Sequence, residues 1–316
     1  MNVQEAIIRA LQEVRTPLWD TVFVLATGLG EEAFIIAVST LIYWNVSKRG
    51  GYTLALAYLG SIALNDVLKL IFQSPRPHEI LAGVAVRRLS GSQGFAFPSV
   101  HTQGATTLFI TLALLFRRNL VYLATAAAVA MVGISRIYLG AQWPVDVIAG
   151  WVLGALTAFL VYRLTWPRRP RLAGTSRTYG PLRTVVTIGI ANALVLAVGI
   201  GILARLDPDV LASTAMARIA GAAVGVLLGF FLEDKLVRFQ CEAAPAARLI
   251  RYVVGIATTV AILIGVQALI DATVARGSTR YAAQFLQYGL VGLWAAGLYP
   301  LIGKRLGLFE PMLPAE

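Results

Sequence analysis

Five ionisable side chains, Lys69, Arg76, His101, Arg136 and Asp146, fall at the ends of long apolar runs in this chain. Ionisable groups are costly at membrane depth and by default mark function there. Their spacing defines three clusters: Lys69-x6-Arg76-Pro77, Pro98-Ser99-Val100-His101, and Ser135-Arg136-x5-Gln142-x3-Asp146. Three fixed cations converging on one pocket suit a phosphate group, whose charge a phosphoryl-transfer site must position and stabilise in the transition state. A helix starting at Ser99 adds backbone N–H groups and the positive end of its dipole. His101 is suited to protonate a leaving alkoxide as general acid, since imidazole is tuned easily around neutral pH. A single Lys or Arg at the end of a span is ordinarily a snorkelling anchor. Here three such clusters occur together.

With 58% hydrophobic residues, 14% charged residues and a mean hydropathy of +0.73, the chain is far more apolar than a soluble domain, where about a quarter of residues are charged. It is read as an integral membrane protein. The net charge of +11 sits in short loops between apolar runs, so it reports topology and not a nucleic-acid partner. The single cysteine, Cys241, excludes an intrachain disulfide, and two histidines, His78 and His101, argue against a conventional zinc cluster. Chemistry without a metal or cofactor is expected. No basic start with a cleavable apolar core is read at the N-terminus.

The elements that must position these residues follow from the apolar pattern. Val3, Ile7, Ile8, Leu11 and Val14 recur at helical spacing opposite Gln4, Glu5, Arg9, Gln12 and Glu13, which predicts an amphipathic helix lying at the bilayer interface. Leu18–Leu29 is too short to cross a hydrocarbon core that needs about 20 residues, and is read as a half-embedded segment. Spans are then expected near 33–46, 52–73, 99–116, 119–139, 144–164, 183–204, 212–232, 250–270 and 282–302. The fold class is an all-α, polytopic transmembrane bundle of about nine spans with an N-terminal interfacial helix. Residues 1–30 form the interfacial segment, 31–165 the core with the three motifs, 166–181 a basic cytoplasmic linker, and 182–316 a C-terminal helical module. Sixteen Lys and Arg fall on one face of this topology and eight on the other. The positive-inside rule therefore puts the motifs at the non-cytoplasmic face, periplasmic or lumenal. Asp66, one turn before Lys69, is read as pairing with or orienting that lysine, and Arg218 as facing the bundle interior or a polar cavity.

The three clusters resemble the signatures of the type 2 phosphatidic acid phosphatase superfamily of membrane lipid phosphatases, Lys-x6-Arg-Pro, Pro-Ser-Gly-His and Ser-Arg-x5-His-x3-Asp, over roughly residues 65–150. Carried over by position, the resemblance implies Lys69, Arg76 and Arg136 as phosphate ligands, with Ser99 and the Val100 amide lining the pocket. It implies His101 as the leaving-group acid and Asp146 as the group that orients position 142. The C-terminal part looks like that of sphingosine-1-phosphate phosphatases at Arg280-Tyr281 and Tyr288-Gly289-Leu290-Val291-Gly292.

Two positions depart from the pattern. Val100 replaces a glycine but keeps its backbone N–H. Gln142 stands where the family has the histidine that attacks phosphorus, and an amide is a very poor nucleophile, although it still hydrogen-bonds. The expected function is a metal-independent lipid phosphate phosphatase acting through a phosphohistidine, inactive in this chain because of Gln142. Either engineered inactivation or a natural pseudoenzyme would account for the glutamine. His78, the other histidine, is read as a loop residue and only as a distant substitute nucleophile. The expected partners are a membrane lipid phosphate and the bilayer, with sphingoid-base phosphates first, then phosphatidate, lysophosphatidate and polyprenyl phosphates. The competing class is a non-hydrolytic lipid-phosphate binder, flippase or scramblase.

Overall fold

The computed structural model describes residues 3–84, 94–166, 214–274 and 278–311. Among these residues the regular elements are helices, joined by one isolated bridge between Phe239 and Pro311. In chain order they are α1 (Val3–Glu13), α2 (Pro17–Gly28), α3 (Glu32–Asn45), α4 (Lys48–Phe72), α5 (Pro77–Ile80), α6 (Val100–Phe116), α7 (Asn119–Tyr138), α8 (Pro144–Thr165), α9 (Thr214–Leu232), α10 (Pro245–Thr273), α11 (Ser278–Leu293) and α12 (Tyr299–Arg305). π-Helical turns follow α9 at Glu233–Val237 and α11 at Trp294–Leu298. The chain is thus an all-α multi-pass membrane protein.

Among the described residues, six helices or helix runs are long and apolar enough to cross a membrane, and α2 with α3, bent by 49°, pass that test as a pair. The apolar α6 is shorter, at 17 residues. The expected span at 183–204 lies outside the described residues, as does most of the 166–181 linker. Where the helices run past the expected bounds, hydropathy marked only the apolar middle: α10 starts at Pro245, whose fixed φ suits the first helical position. The last expected span, 282–302, falls within the apolar helical run Thr279–Arg305, which continues through the π-turn before α12. Pro300 has no N–H to give the carbonyl four residues back, and the Ala296 carbonyl instead accepts from Tyr43 Oη at 2.8 Å.

The chain forms two compact units, Met1–Ile36 with Gly60–Tyr162 and Ala37–Leu59 with Arg163–Glu316. In the second, Gly221 and Gly225 of α9 lie so close to Phe285 and Gly289 of α11 that any Cβ would meet their carbonyls, the close approach that small residues allow in lipid. Buried Glu233 binds Lys48 Nζ at 2.7 Å and accepts from Tyr52 Oη at 2.6 Å. Buried Arg251 donates to the carbonyls of Leu308 at 2.8 Å and Trp44 at 2.9 Å. Arg218, expected to face inward, has its guanidinium 5.6 Å from the centre of the Tyr288 ring, a cation–π arrangement.

In the first unit, α1 sinks Ile8 into a cluster with Ile137 and Val147, while Val3 and Val14 stay exposed. Helix α8 meets α6 through glycines: a Cβ on Gly154 would lie 2.6 Å from the Gln103 carbonyl oxygen, and one on Gly150 would lie 3.0 Å from that of Ser99. A polar seam runs beside this contact. Asn65 Nδ2 donates to Gln103 Oε1 at 2.8 Å, Gln103 Nε2 donates to the Ser61 carbonyl at 2.7 Å, and the Thr107 hydroxyl donates to Ser61 Oγ at 2.9 Å.

The glycine contact predicts that Gly154→Ala destabilises the fold by about 1–3 kcal/mol, the usual cost of overpacking. Gly265→Ala, where nothing lies within 4 Å of the added atom, is expected to be neutral or stabilising. Thermal unfolding of both variants in one detergent checks this, and equal losses would contradict the close approach of α6 and α8.

Candidate phosphate site

All the motif residues lie in the first unit. Lys69 is half-buried in the last turn of α4. Arg76 precedes α5, with its backbone N–H donating to Glu79 Oε2 at 2.8 Å. Its fully buried guanidinium donates to the carbonyls of Gly94 at 2.7 Å, Ala141 at 3.0 Å and Phe95 at 3.4 Å. The bond to Ala141 joins the first motif to the third. Trp143 makes the same join, donating from Nε1 to the Pro75 carbonyl at 2.9 Å.

Ser99 caps α6. Its Oγ accepts from the Thr102 N–H at 3.4 Å and lies 2.9 Å from Thr102 Oγ1, so this hydroxyl is engaged by its own helix. The Ser99 N–H donates to the Asp146 carbonyl at 3.1 Å, which joins the second motif to the third. Val100 and His101 follow in the first turn, whose N–H groups have no acceptor within the helix. His101 is 6% exposed. The charges of Arg136, Lys69 and Arg76 all act on it.

The third motif is shaped by two caps. Helix α7 ends in a Schellman turn: Gly140, at φ +68°, donates to the Ile137 carbonyl at 2.9 Å, and the Ala141 N–H donates to the Arg136 carbonyl at 3.1 Å. Glycine adopts that left-handed conformation without strain. The Gln142 N–H also donates to the Arg136 carbonyl, at 3.2 Å. Helix α8 then opens with Pro144 in its first position and Asp146 in its third, and Asp146 Oδ2 accepts from the Trp143 N–H at 2.8 Å, half of a capping box. Asp146 therefore caps the helix that carries it.

What these caps leave over is specific. Buried and without a hydrogen-bond partner are Arg136 Nε and Nη2, Gln142 Oε1 and Asp146 Oδ1. Arg136 Nη1 alone of that guanidinium is taken, donating to Thr27 Oγ1 at 3.1 Å. Two nitrogens of a buried cation thus face no protein acceptor, beside a second fully buried arginine and within the electrostatic reach of Lys69. Such an edge suits a tetrahedral oxyanion. Among the described residues, no group of three or more His, Cys, Asp or Glu side chains is placed to hold a metal ion. A cavity of about 510 Å³, lined by Arg9, Gln12, Arg15 and Asp20 among others, includes no motif residue.

The structure thus brings Lys69, Arg76, Ser99, His101, Arg136, Gln142 and Asp146 around one locus. His78 lies half-buried on α5, and the charge of Asp66 acts on Lys69. Sequence reasoning missed Thr27, Gly30 and Thr102. Gly30 presses on the second motif, where an added Cβ would lie 2.6 Å from the His101 carbonyl oxygen. The only signal available was the Gly28-Leu29-Gly30 break in a segment too short to span.

A family model described as the PAP2 superfamily matches residues 50–170, and a second, described as PAP2 superfamily phosphatase, transmembrane extension, matches residues 217–311. The undecaprenyl-diphosphatase of Sulfolobus acidocaldarius is 30% identical over 130 residues, 41% of this chain and 62% of that protein. The lipid A 1-phosphatase of Rhizobium johnstonii is 30% identical over 188 residues, 48% of this chain and 75% of that protein. Human sphingosine-1-phosphate phosphatase 2 is 27% identical over 146 residues, 44% of this chain and 36% of that protein. A helical membrane fold carrying the three motifs in register and matching these models belongs to the PAP2 superfamily.

Because Arg76 supplies donors to three carbonyls around the pocket, Arg76→Lys is expected to cost about 1–3 kcal/mol for a buried acceptor left unmade. A lower midpoint in thermal unfolding, with less retention on immobilised phosphate, is the outcome to look for. Unchanged stability would mean that these carbonyls find other donors.

Proposed function

We propose that the chain binds a lipid phosphate monoester among Lys69, Arg76 and Arg136, on the scaffold of a metal-independent lipid phosphate phosphatase whose nucleophile position is taken by Gln142. The observation that carries this is the pair of buried, unpartnered donors on Arg136. A dry site strengthens every interaction between such a cation and an anion. The relatives support the lipid class, since their names cover an undecaprenyl diphosphate, lipid A and sphingosine 1-phosphate. Sphingoid-base phosphates lead because of the C-terminal resemblance at Arg280-Tyr281 and Tyr288–Gly292. The tail would enter laterally from the bilayer, at the face that carries fewer Lys and Arg, which is the non-cytoplasmic one.

The parent reaction needs a histidine at position 142. Its imidazole nitrogen attacks phosphorus, the phosphorus–oxygen bond to the lipid breaks, and His101 gives its proton to the departing alkoxide. Water then cleaves the phosphorus–nitrogen bond and His101 takes back a proton. Asp146 Oδ1, an acceptor with no donor, is the partner that an imidazole N–H would find. A glutamine side chain offers an amide nitrogen whose lone pair is delocalised, so it supports binding and not attack. Gln142 also favours the second reading, a natural protein that binds or moves lipid phosphates without cleaving them.

Phosphate release from a lipid phosphate panel, in detergent without divalent metal, separates the two. The chain is expected to be silent and Gln142→His to turn over by at least about 10³-fold above it, the scale of a lost nucleophile. Adding His101→Ala to that variant should then cost about 10²–10⁴-fold. Turnover with Gln142 in place would sink the mechanism. Silence of both chains, with labelled lipid crossing vesicles, would favour transport.

A further inference from the structure

Helix α2 lies outside the three motifs, yet one of its faces is registered against the end of α7 that carries Arg136. Asp20 Oδ1 accepts from Tyr138 Oη at 3.0 Å, Phe23 packs against the Tyr138 ring at a tilt with centroids 4.3 Å apart, and Thr27 Oγ1 accepts from Arg136 Nη1 at 3.1 Å. Positions 20, 23 and 27 fall on one side of a helix. Asp20 is itself held by Arg15 at 3.0 Å, so the stripe has a fixed upper end. At its lower end Thr27 is 1% exposed. The helix then stops, Gly30 lies against the His101 backbone, and the charge of Glu31 acts on Arg136.

This contact chooses an edge. A guanidinium binds a tetrahedral anion through a pair of parallel N–H groups, and the side-on pair is Nε with Nη2. Thr27 takes Nη1, the nitrogen outside that pair. The two donors left unpartnered and buried are Nε and Nη2.

We propose that Thr27 is a positioning residue of this site: by accepting from Arg136 Nη1 it turns the Nε–Nη2 fork toward a bound phosphate monoester. Helix α2 is then a fourth wall of the pocket, set beside the three motifs. Thr27 itself touches no phosphate. It removes the rotations of Arg136 in which the wrong edge faces the anion, and so raises affinity through preorganisation. This rests on the phosphate-binding reading, and the test keeps the two apart.

The full chain in detergent is titrated calorimetrically with inorganic orthovanadate as the probe. Arg136→Ala should abolish binding. Thr27→Val, which keeps the shape and removes the hydroxyl, should weaken it by about tenfold, the scale of one hydrogen bond to a charged group. Thr27→Ser should bind within about threefold of the unchanged chain, a rescue that filling space alone would not give. Should Thr27→Val fail to run as a single species in gel filtration, Thr27→Ala carries the same expectation. Binding by Thr27→Val equal to that of the unchanged chain, or no rescue by Thr27→Ser, overturns the role of Thr27 while the site stands. Binding retained by Arg136→Ala, or no binding by the unchanged chain, overturns the phosphate reading and this inference with it.

Discussion

A charged guanidinium, fully buried, with two of its nitrogens facing no protein acceptor is the constraint on which this fold turns. Leaving such donors unmet costs several kcal/mol in a low-dielectric interior. Around Arg136, the Schellman turn at Gly140 sets where α7 ends, and the Asp146 cap sets where α8 begins. Between those two points only a few residues remain. Gln142 is therefore delivered beside the arginine by backbone geometry, whatever its side chain can do.

The surroundings explain why so much of the motif chemistry is backbone chemistry. In lipid an unmade hydrogen bond has no water to fall back on. Arg76 spends its donors on three carbonyls, Ser99 and Asp146 cap their own helices, and the two caps are tied by a single N–H donated from Ser99. Glycines at 150 and 154 let α8 approach α6 closely enough for that bond to form. The side chains of Ser61, Gln103 and Thr107 bond one another beside it. The result is a rigid frame in which few groups are left to meet a ligand.

How much of this could be read from the sequence divides along physical lines. Apolar runs report burial in lipid directly, so the helical class and most spans are visible, and the motif side chains stand out because charge in such runs needs a reason. The unpartnered edge of Arg136 was not visible, because it depends on which nitrogen a distant residue occupies. Thr27 carries no charge and sits in a segment too short to span, so nothing in its local pattern marks it. The glycine contacts at 30, 150 and 154 were hidden for the same reason: a small residue reads as tolerance until its neighbour is known. Pro300 has no N–H to offer the Ala296 carbonyl, and the Tyr43 hydroxyl that meets that carbonyl comes from more than two hundred positions away, where no sequence pattern points to it.

On the proposed function, position 142 faces the phosphorus of a lipid phosphate held by Arg136. The most direct measurement is to quench Gln142→His during turnover of a lipid labelled in its phosphate, digest it, and map the label by mass spectrometry. The account predicts an acid-labile, base-stable phosphoramidate at position 142, absent when Arg136 is also replaced by alanine. Label at His101 or His78 instead, or turnover with no covalent label under rapid quench, would contradict it.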